Sequence, residues 1–341
     1  MPKKPIRKTV TGLARGGVAV AGGLVTATAA GIAYSRLAID HEVPLPEALD
    51  AERREFRLAE AGAEAGMISA YVGEGSTGQP LVLIHSVNAA ASAMEMKPLF
   101  EMYRQKRRVY ALDLPGYGFS DRQARTYTPE FFSNALGHFL NQVVGQPADV
   151  IALSLSSEFL AQTARKAPEQ FRSLTMISPS GLTGRSRGRA TEQAGQRGAS
   201  NSLYGLLANP LWAQALYDLI ASRMSLRFYL GKSFVGEIPD ELVEYGYATS
   251  HQPGAMNVPL YFLSGQLFTQ DALQELYLDL SVPTLILYDQ DFYVTFDLLP
   301  ELLNKNELVK AVRIAPTLGL PHWEQADETK AALEAFWTEI S

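Results

Sequence analysis

From Arg108 onward the chain alternates two kinds of apolar pattern, which limits the possible folds more than any other feature. The run Arg108 to Leu112 reads as a strand, Pro129 to Val144 as a helix, Asp149 to Leu153 as a strand, Ser156 to Lys166 as a helix, and Ser173 to Ile177 as a strand. Strands alternating with helices pair in parallel, because each crossover helix returns the chain to the same end of the sheet and covers one of its faces. Upstream, Pro80 to Ile84 is apolar throughout, as a strand buried on both faces must be. Glu55 to Glu60 and Met67 to Val72 read as short antiparallel strands before a Gly-rich turn at Gly73 to Gly78. The alternation stops between about Gly181 and Leu280, then resumes with strands Thr284 to Tyr288 and Val309 to Ile314 and a helix from Glu328 to Ile340. The expected fold is α/β: a mostly parallel sheet of about eight strands with helices on both faces and a helical cap inserted between the sixth and seventh strands.

This organisation divides the chain into a basic flank and anchor over 1–36, a polar linker over 37–54, a first core part over 55–180, the cap insertion over 181–280 and a second core part over 281–341. No charged residue lies between Gly16 and Tyr34, a run long enough to cross a hydrocarbon core, so an N-terminal transmembrane helix is expected. Lys3, Lys4, Arg7, Lys8 and Arg15 precede the first acidic residue, Asp40, so the N-terminus of such an anchor is expected in the cytoplasm and the folded body on the extracytoplasmic face. A cleaved signal peptide, with Ala27-Thr28-Ala29 as its small-x-small site, and a soluble Gly/Ala-rich tail are the competing readings. Small residues at four-residue spacing (Gly12 and Gly16; Gly23, Ala27 and Gly31) would admit a partner helix, although Gly-rich runs also produce such spacings by chance.

The formal charge is -6 although the first residues are basic, so the body is acidic and lacks the basic face that nucleic-acid binding needs. Cysteine is absent, which excludes disulfides, thiolate metal sites and a cysteine nucleophile. No metal or organic cofactor is implied.

Where the strand Asp149 to Leu153 ends, Ala152-Leu153-Ser154-Leu155-Ser156 turns directly into a helix. A nucleophile on such a turn needs small residues two before and two after it, and Ala152 and Ser156 qualify, although a helix N-cap would also use a serine here. Three further motifs follow the same order along the chain: Leu83-Ile84-His85-Ser86-Val87, Asp113-Leu114-Pro115-Gly116-Tyr117-Gly118-Phe119-Ser120, and Gly319-Leu320-Pro321-His322-Trp323-Glu324. Together they resemble the α/β-hydrolase family over nearly all of residues 55 to 341. Ser154 then stands at the nucleophile elbow, G-x-S-x-G with both glycines replaced. The segment Leu83 to Val87 resembles the H-G loop and Asp113 to Ser120 the D-x-P-G-x-G-x-S turn, to which no chemistry is assigned.

The resemblance implies a serine hydrolase working through an acyl-enzyme, with Ser154 as nucleophile, Asp291 as triad acid and His322 as base, and with the Val87 and Leu155 N–H groups as the oxyanion hole. Asp289 competes with Asp291, because the segment Tyr288-Asp289-Gln290-Asp291 is one residue shorter than the usual spacing. Aligned on Gly319, the G-H-x-P-x-x-E pattern puts Leu320 where the histidine belongs, and His322 lies two positions on. His85 is expected to be a structural hydrogen-bonder, and His41, His138 and His251 to be surface or core residues. Aromatic and aliphatic cap residues such as Tyr204, Trp212, Phe228 and Tyr261 favour an apolar or lipid-like small-molecule substrate beyond their packing role, and Arg185, Arg187 and Arg189 read as a solvated loop, with contact to anionic headgroups as the lesser alternative. Two alternatives stay open: a degenerate hydrolase fold serving as a non-catalytic binding subunit at a membrane, and acyl transfer to an acceptor other than water.

Overall fold

The computed structural model describes residues 29–58, 66–184 and 197–341. The anchor read from Gly16 onward falls mostly outside the described residues, as do Arg185, Arg187 and Arg189. Among the described residues, no helix is long and apolar enough to cross a membrane.

Eight strands form one sheet: β1 (Glu52–Arg57), β2 (Met67–Glu74), β3 (Leu81–Ile84), β4 (Arg108–Asp113), β5 (Ala148–Leu153), β6 (Phe171–Ile177), β7 (Thr284–Tyr288) and β8 (Val309–Arg313). Their order is β1-β2-β4-β3-β5-β6-β7-β8. Pairing is antiparallel at β1–β2 and β2–β4 and parallel from β4 onward, as the alternation requires. The helices in chain order are α1 (29–38), α2 (Lys97–Tyr103), α3 (Pro129–Phe139), α4 (Ser156–Lys166), α5 (Arg197–Leu207), α6 (Ala213–Ile220), α7 (Arg223–Leu230), α8 (Asp240–Ser250), α9 (Asn257–Leu263), α10 (Leu299–Lys305), α11 (Pro321–Glu324) and α12 (Ala326–Glu339). Helices α5 to α9 form the insertion between β6 and β7.

Side chains alternate across a strand, so each central strand feeds two cores. Val82, Ile84, Val150 and Ala152 pack with Phe132, Phe139 and Phe159 of α3 and α4 on one face. Leu81, Leu83, Ile151 and Leu153 pack with Leu99 and Phe100 of α2 and Leu333 and Phe336 of α12 on the other. The stretch 37–54, expected as a linker, belongs partly to this second core. Ala48 and Leu49 are buried, the Ala48 N–H donates to Tyr71 Oη at 2.8 Å, and β1 already begins at Glu52.

One buried carboxylate pins the amino ends of three strands. Asp149 accepts from Arg107 Nη2, from Arg172 Nε and Nη2 at 2.8 Å each, and from Ser173 Oγ. Removing one partner of a buried pair leaves the other charge unpaired, which typically costs about 3–5 kcal/mol. Arg107→Ala is expected to lower unfolding free energy by about 3 kcal/mol in a denaturant titration, partly through its guanidinium stacked 4.4 Å from the Trp337 ring. A change within experimental error would show that Arg172 and Ser173 suffice.

Candidate active site

In the sheet order the connection after β3 runs to β4 on one side and the connection after β5 runs to β6 on the other, which opens a crevice between the carboxyl ends of β3 and β5. The loops carrying Ser86 and Ser154 meet there. The Ser156 hydroxyl donates to the His85 carbonyl at 2.6 Å and ties the two loops together.

Ser154 has φ +54°, a left-handed conformation costly for a residue with a Cβ, and it is held there from both sides. Its N–H donates to Ile177 O at 2.8 Å, and its carbonyl accepts from Ser157 N–H at 3.0 Å as α4 begins. Ala152 and Ser156, fully buried, occupy the positions where the tight turn tolerates only small residues. The result is a half-exposed serine at a strand-to-helix turn rather than a helix cap; α4 itself has no side-chain cap. Among the described residues no acceptor takes the N–H of Leu155 or of Val87. The neighbouring Ser86 N–H is already committed to Glu95 Oε2 at 2.8 Å, whereas the Val87 N–H is not.

Glu95 organises this loop further: its carboxylate also accepts from Ser86 Oγ at 3.1 Å and Asn88 Nδ2 at 2.8 Å. Burial raises the pKa of Glu95 from the ordinary glutamate value. The D-x-P-G turn is structural. Asp113 accepts from Ala93 N–H at 2.9 Å and Phe119 N–H at 3.0 Å, and a Cβ on Gly118 (φ +50°) would lie 1.9 Å from Asp113 Cγ.

The two acidic candidates separate by their partners. Asp289 is buried and saturated by Arg313 Nε at 2.7 Å and Thr317 N–H at 2.8 Å, so it anchors the loop after β8. Asp291 accepts from the Tyr293 and Val294 N–H groups on Oδ1, at 2.6 and 3.2 Å, and turns Oδ2 toward Gly319. Desolvation raises its pKa to about 6, against two backbone hydrogen bonds that lower it.

The imidazoles do not join this group. His322 is fully buried; its Nε2–H donates to Glu95 O at 2.8 Å, while its Nδ1 has no hydrogen-bond partner. Trp323 Nε1 donates to the same carbonyl at 2.7 Å and closes the segment against the core. His85, as expected, is structural: Nδ1–H donates to Ser86 O at 2.5 Å and Nε2 accepts from Leu114 N–H at 2.9 Å. His41 pairs with Asp218, His251 bonds Tyr247 O, and His138 lies on α3. None of the five imidazoles is hydrogen-bonded to Ser154 or Asp291.

The residue opposite Asp291 is Gly319, with φ +111°, where a Cβ would lie 2.7 Å from Asp291 Oδ2 and 3.8 Å from Ser178 Oγ. Leu320, in contrast, is buried in the second core. The G-H-x-P-x-x-E pattern aligned on Pro321 and Glu324, rather than on the glycine, assigns the histidine position to Gly319. Glu324 holds the loop, accepting from Leu318 N–H at 3.1 Å and from Val235 N–H of the cap at 2.6 Å. A glycine offers no side-chain chemistry to mark this position in the sequence; the signal for it is the spacing back from Pro321 and Glu324.

Burial lowers the pKa of His322 to about 4, so it is held neutral. A histidine depressed on folding contributes stability that is complete above about pH 6.5 and is lost as pH falls toward 4. At about 1.4 kcal/mol per pH unit the contribution is at most ~3 kcal/mol. Between pH 7.5 and pH 4.5 the wild type is expected to lose about 2 kcal/mol more stability than His322→Gln, which retains a donor to Glu95 O without a titrating ring. Equal losses in chemical denaturation would refute the depressed pKa.

A profile of the alpha/beta hydrolase family matches residues 81–332. Among solved structures, a membrane phospholipase A described as a bacterial virulence factor is similar over 97% of this chain and 98% of that one, with 19% identity and a TM-score of 0.66. A serine hydrolase involved in carbazole degradation aligns over 84% of this chain and 99% of its own, with 14% identity and a TM-score of 0.64. A thermophilic esterase from Thermogutta terrifontis aligns over 85% and 99%, with 17% identity and a TM-score of 0.63. No curated protein sequence matches the chain.

Proposed function

From the premise that this chain belongs to the alpha/beta hydrolase family, we propose that it acts on carboxylic esters of apolar acyl groups through Ser154, at a membrane to which its N-terminal segment tethers it. The observation that carries the proposal is the conformation of Ser154: φ +54° at a strand-to-helix turn, with the Leu155 and Val87 N–H groups uncommitted. Ser154 Oγ attacks the ester carbonyl, the carbonyl oxygen becomes an oxyanion held by those N–H groups, and the C–O bond breaks to leave an acyl-Ser154 ester and the alcohol. Attack by water on that ester releases the carboxylic acid.

His322 was the expected base, but its Nε2 is engaged by Glu95 O and no imidazole stands at 319, so the serine proton reaches the leaving alkoxide by way of water. Oxyanion stabilisation and binding alone give roughly 10³–10⁴-fold over water, so turnover is expected to be slow. The exposed aromatic groups of the cap and the apolar run from Gly16 support a lipid-like acyl substrate and a single-pass anchor, with the body on the extracytoplasmic face.

A second reading, favoured by Gly319 opposite Asp291, is a subunit that binds acyl compounds without turning them over. Hydrolysis of p-nitrophenyl esters of increasing chain length by the full-length protein in detergent tests the two. A rate above background that disappears in Ser154→Ala supports the hydrolase; identical rates for wild type and Ser154→Ala would leave only the binding role.

A further inference from the structure

Fourteen large apolar side chains are exposed among the described residues, and ten fall in two stretches, eight between Leu203 and Val235 and two at Phe292 and Tyr293. Lys232 joins the stretches into one surface: its Nζ lies 4.6 Å from the Phe228 ring centre and 3.9 Å from that of Phe292. Phe228 (61% exposed) stacks edge-on against Tyr229, and Phe292 (62% exposed) against Tyr293. The surface borders the candidate active site, because the Tyr293 N–H donates to Asp291. Solitary exposed apolar residues are ordinary, but a contiguous aromatic group around a cation is not the usual outer surface of a soluble body.

The attachment of helix α1 bears on what covers it. Helix α1, at the end of the charge-free run, is fastened to the cap: Ser35 Oγ donates to the buried Asp218 Oδ2 at 2.5 Å, and His41 Nε2 lies 3.0 Å from Asp218 Oδ1. Asp218 belongs to α6, which packs against α7, the helix carrying Phe228 and Tyr229. Tyr34 and Leu37 of α1 remain exposed beside this attachment. Helix α1 is therefore fixed to the cap, and a tether N-terminal to it would keep the cap close to whatever the tether enters. Aromatic rings with a lysine among them suit the boundary between acyl chains and anionic headgroups.

We infer that the surface formed by Phe228, Tyr229, Lys232, Phe292 and Tyr293 docks on a lipid bilayer carrying anionic headgroups. This rests on the membrane tether proposed above. Docking would hold the crevice next to Asp291 at the lipid interface, where an acyl ester can enter without crossing water.

The chain has no cysteine, so single cysteines can be labelled cleanly with an environment-sensitive fluorophore. Phe228→Cys, Phe292→Cys and, as a control on another exposed surface, Leu308→Cys are prepared in the full-length protein and reconstituted into phosphatidylcholine vesicles with and without phosphatidylglycerol. Spin-labelled lipid should quench the probes at 228 and 292 roughly twofold or more in anionic vesicles, with little effect at 308, and Lys232→Glu should reduce that quenching. Flotation with the vesicles but quenching at 228 and 292 no greater than at 308 would overturn the docking surface and leave the tether standing. Failure to float would remove the tether and the docking with it. Energy transfer between labelled copies at 228, without lipid quenching, would assign the surface to a second copy and overturn the inference.

Discussion

Gly319→His is expected to raise ester turnover by about 10²-fold or more, the range a positioned general base supplies. Asp291 Oδ2 would lie 2.7 Å from a Cβ at this position and accepts no hydrogen bond among the described residues, so a carboxylate is already in place to orient an imidazole and stabilise its cation. The substitution is strained, since φ +111° suits glycine and Asp291 must move a few tenths of an ångström; a stability cost of about 1–3 kcal/mol is expected. Adding Asp291→Asn should remove most of the gain. Leu320→His should instead lose stability with no gain in rate, because that side chain is packed in the core. A folded Gly319→His protein no faster than wild type would show that position 319 does not address Ser154.

Ser154 is expected to be the single site of reaction with a small fluorophosphonate, giving one adduct per chain that is lost in Ser154→Ala and kept in Ser156→Ala and Ser157→Ala. The reason is local. Ser156 Oγ is engaged with His85 O at 2.6 Å and Ser157 Oγ faces Ala152 O at 3.4 Å, both fully buried, whereas Ser154 is half-exposed beside two free N–H donors. Labelling should be slow, since an unassisted hydroxyl is a weak nucleophile. His322→Gln should label at the wild-type rate, and Gly319→His faster. If His322→Gln abolished labelling, the imidazole would have to leave Glu95 during the reaction. If no serine were labelled in folded protein by mass spectrometry, the non-catalytic reading would stand.

The strand and helix alternation, the insertion after β6 and the turn at Ser154 were legible in the sequence because each depends on local patterning: continuous apolar runs, helical periodicity, and small residues flanking a turn. The Asp113 turn was legible for the same reason, its glycines being forced by φ and by the absence of room for a Cβ. The partners of side chains far apart in sequence were decided only by tertiary structure. Asp289 and Asp291 are two residues apart and chemically identical, yet Arg313 and Thr317 consume one while the other faces Gly319. His322 lies in the expected loop, but Pro321 starts a short helix that turns its ring inward, where Glu95 O, 227 residues earlier, is the nearest acceptor. Spacing brought this histidine to the right loop. The direction of its ring was set by burying Leu320 and the imidazole together, because apolar packing of the loop outweighs the choice of which polar atom the ring will meet.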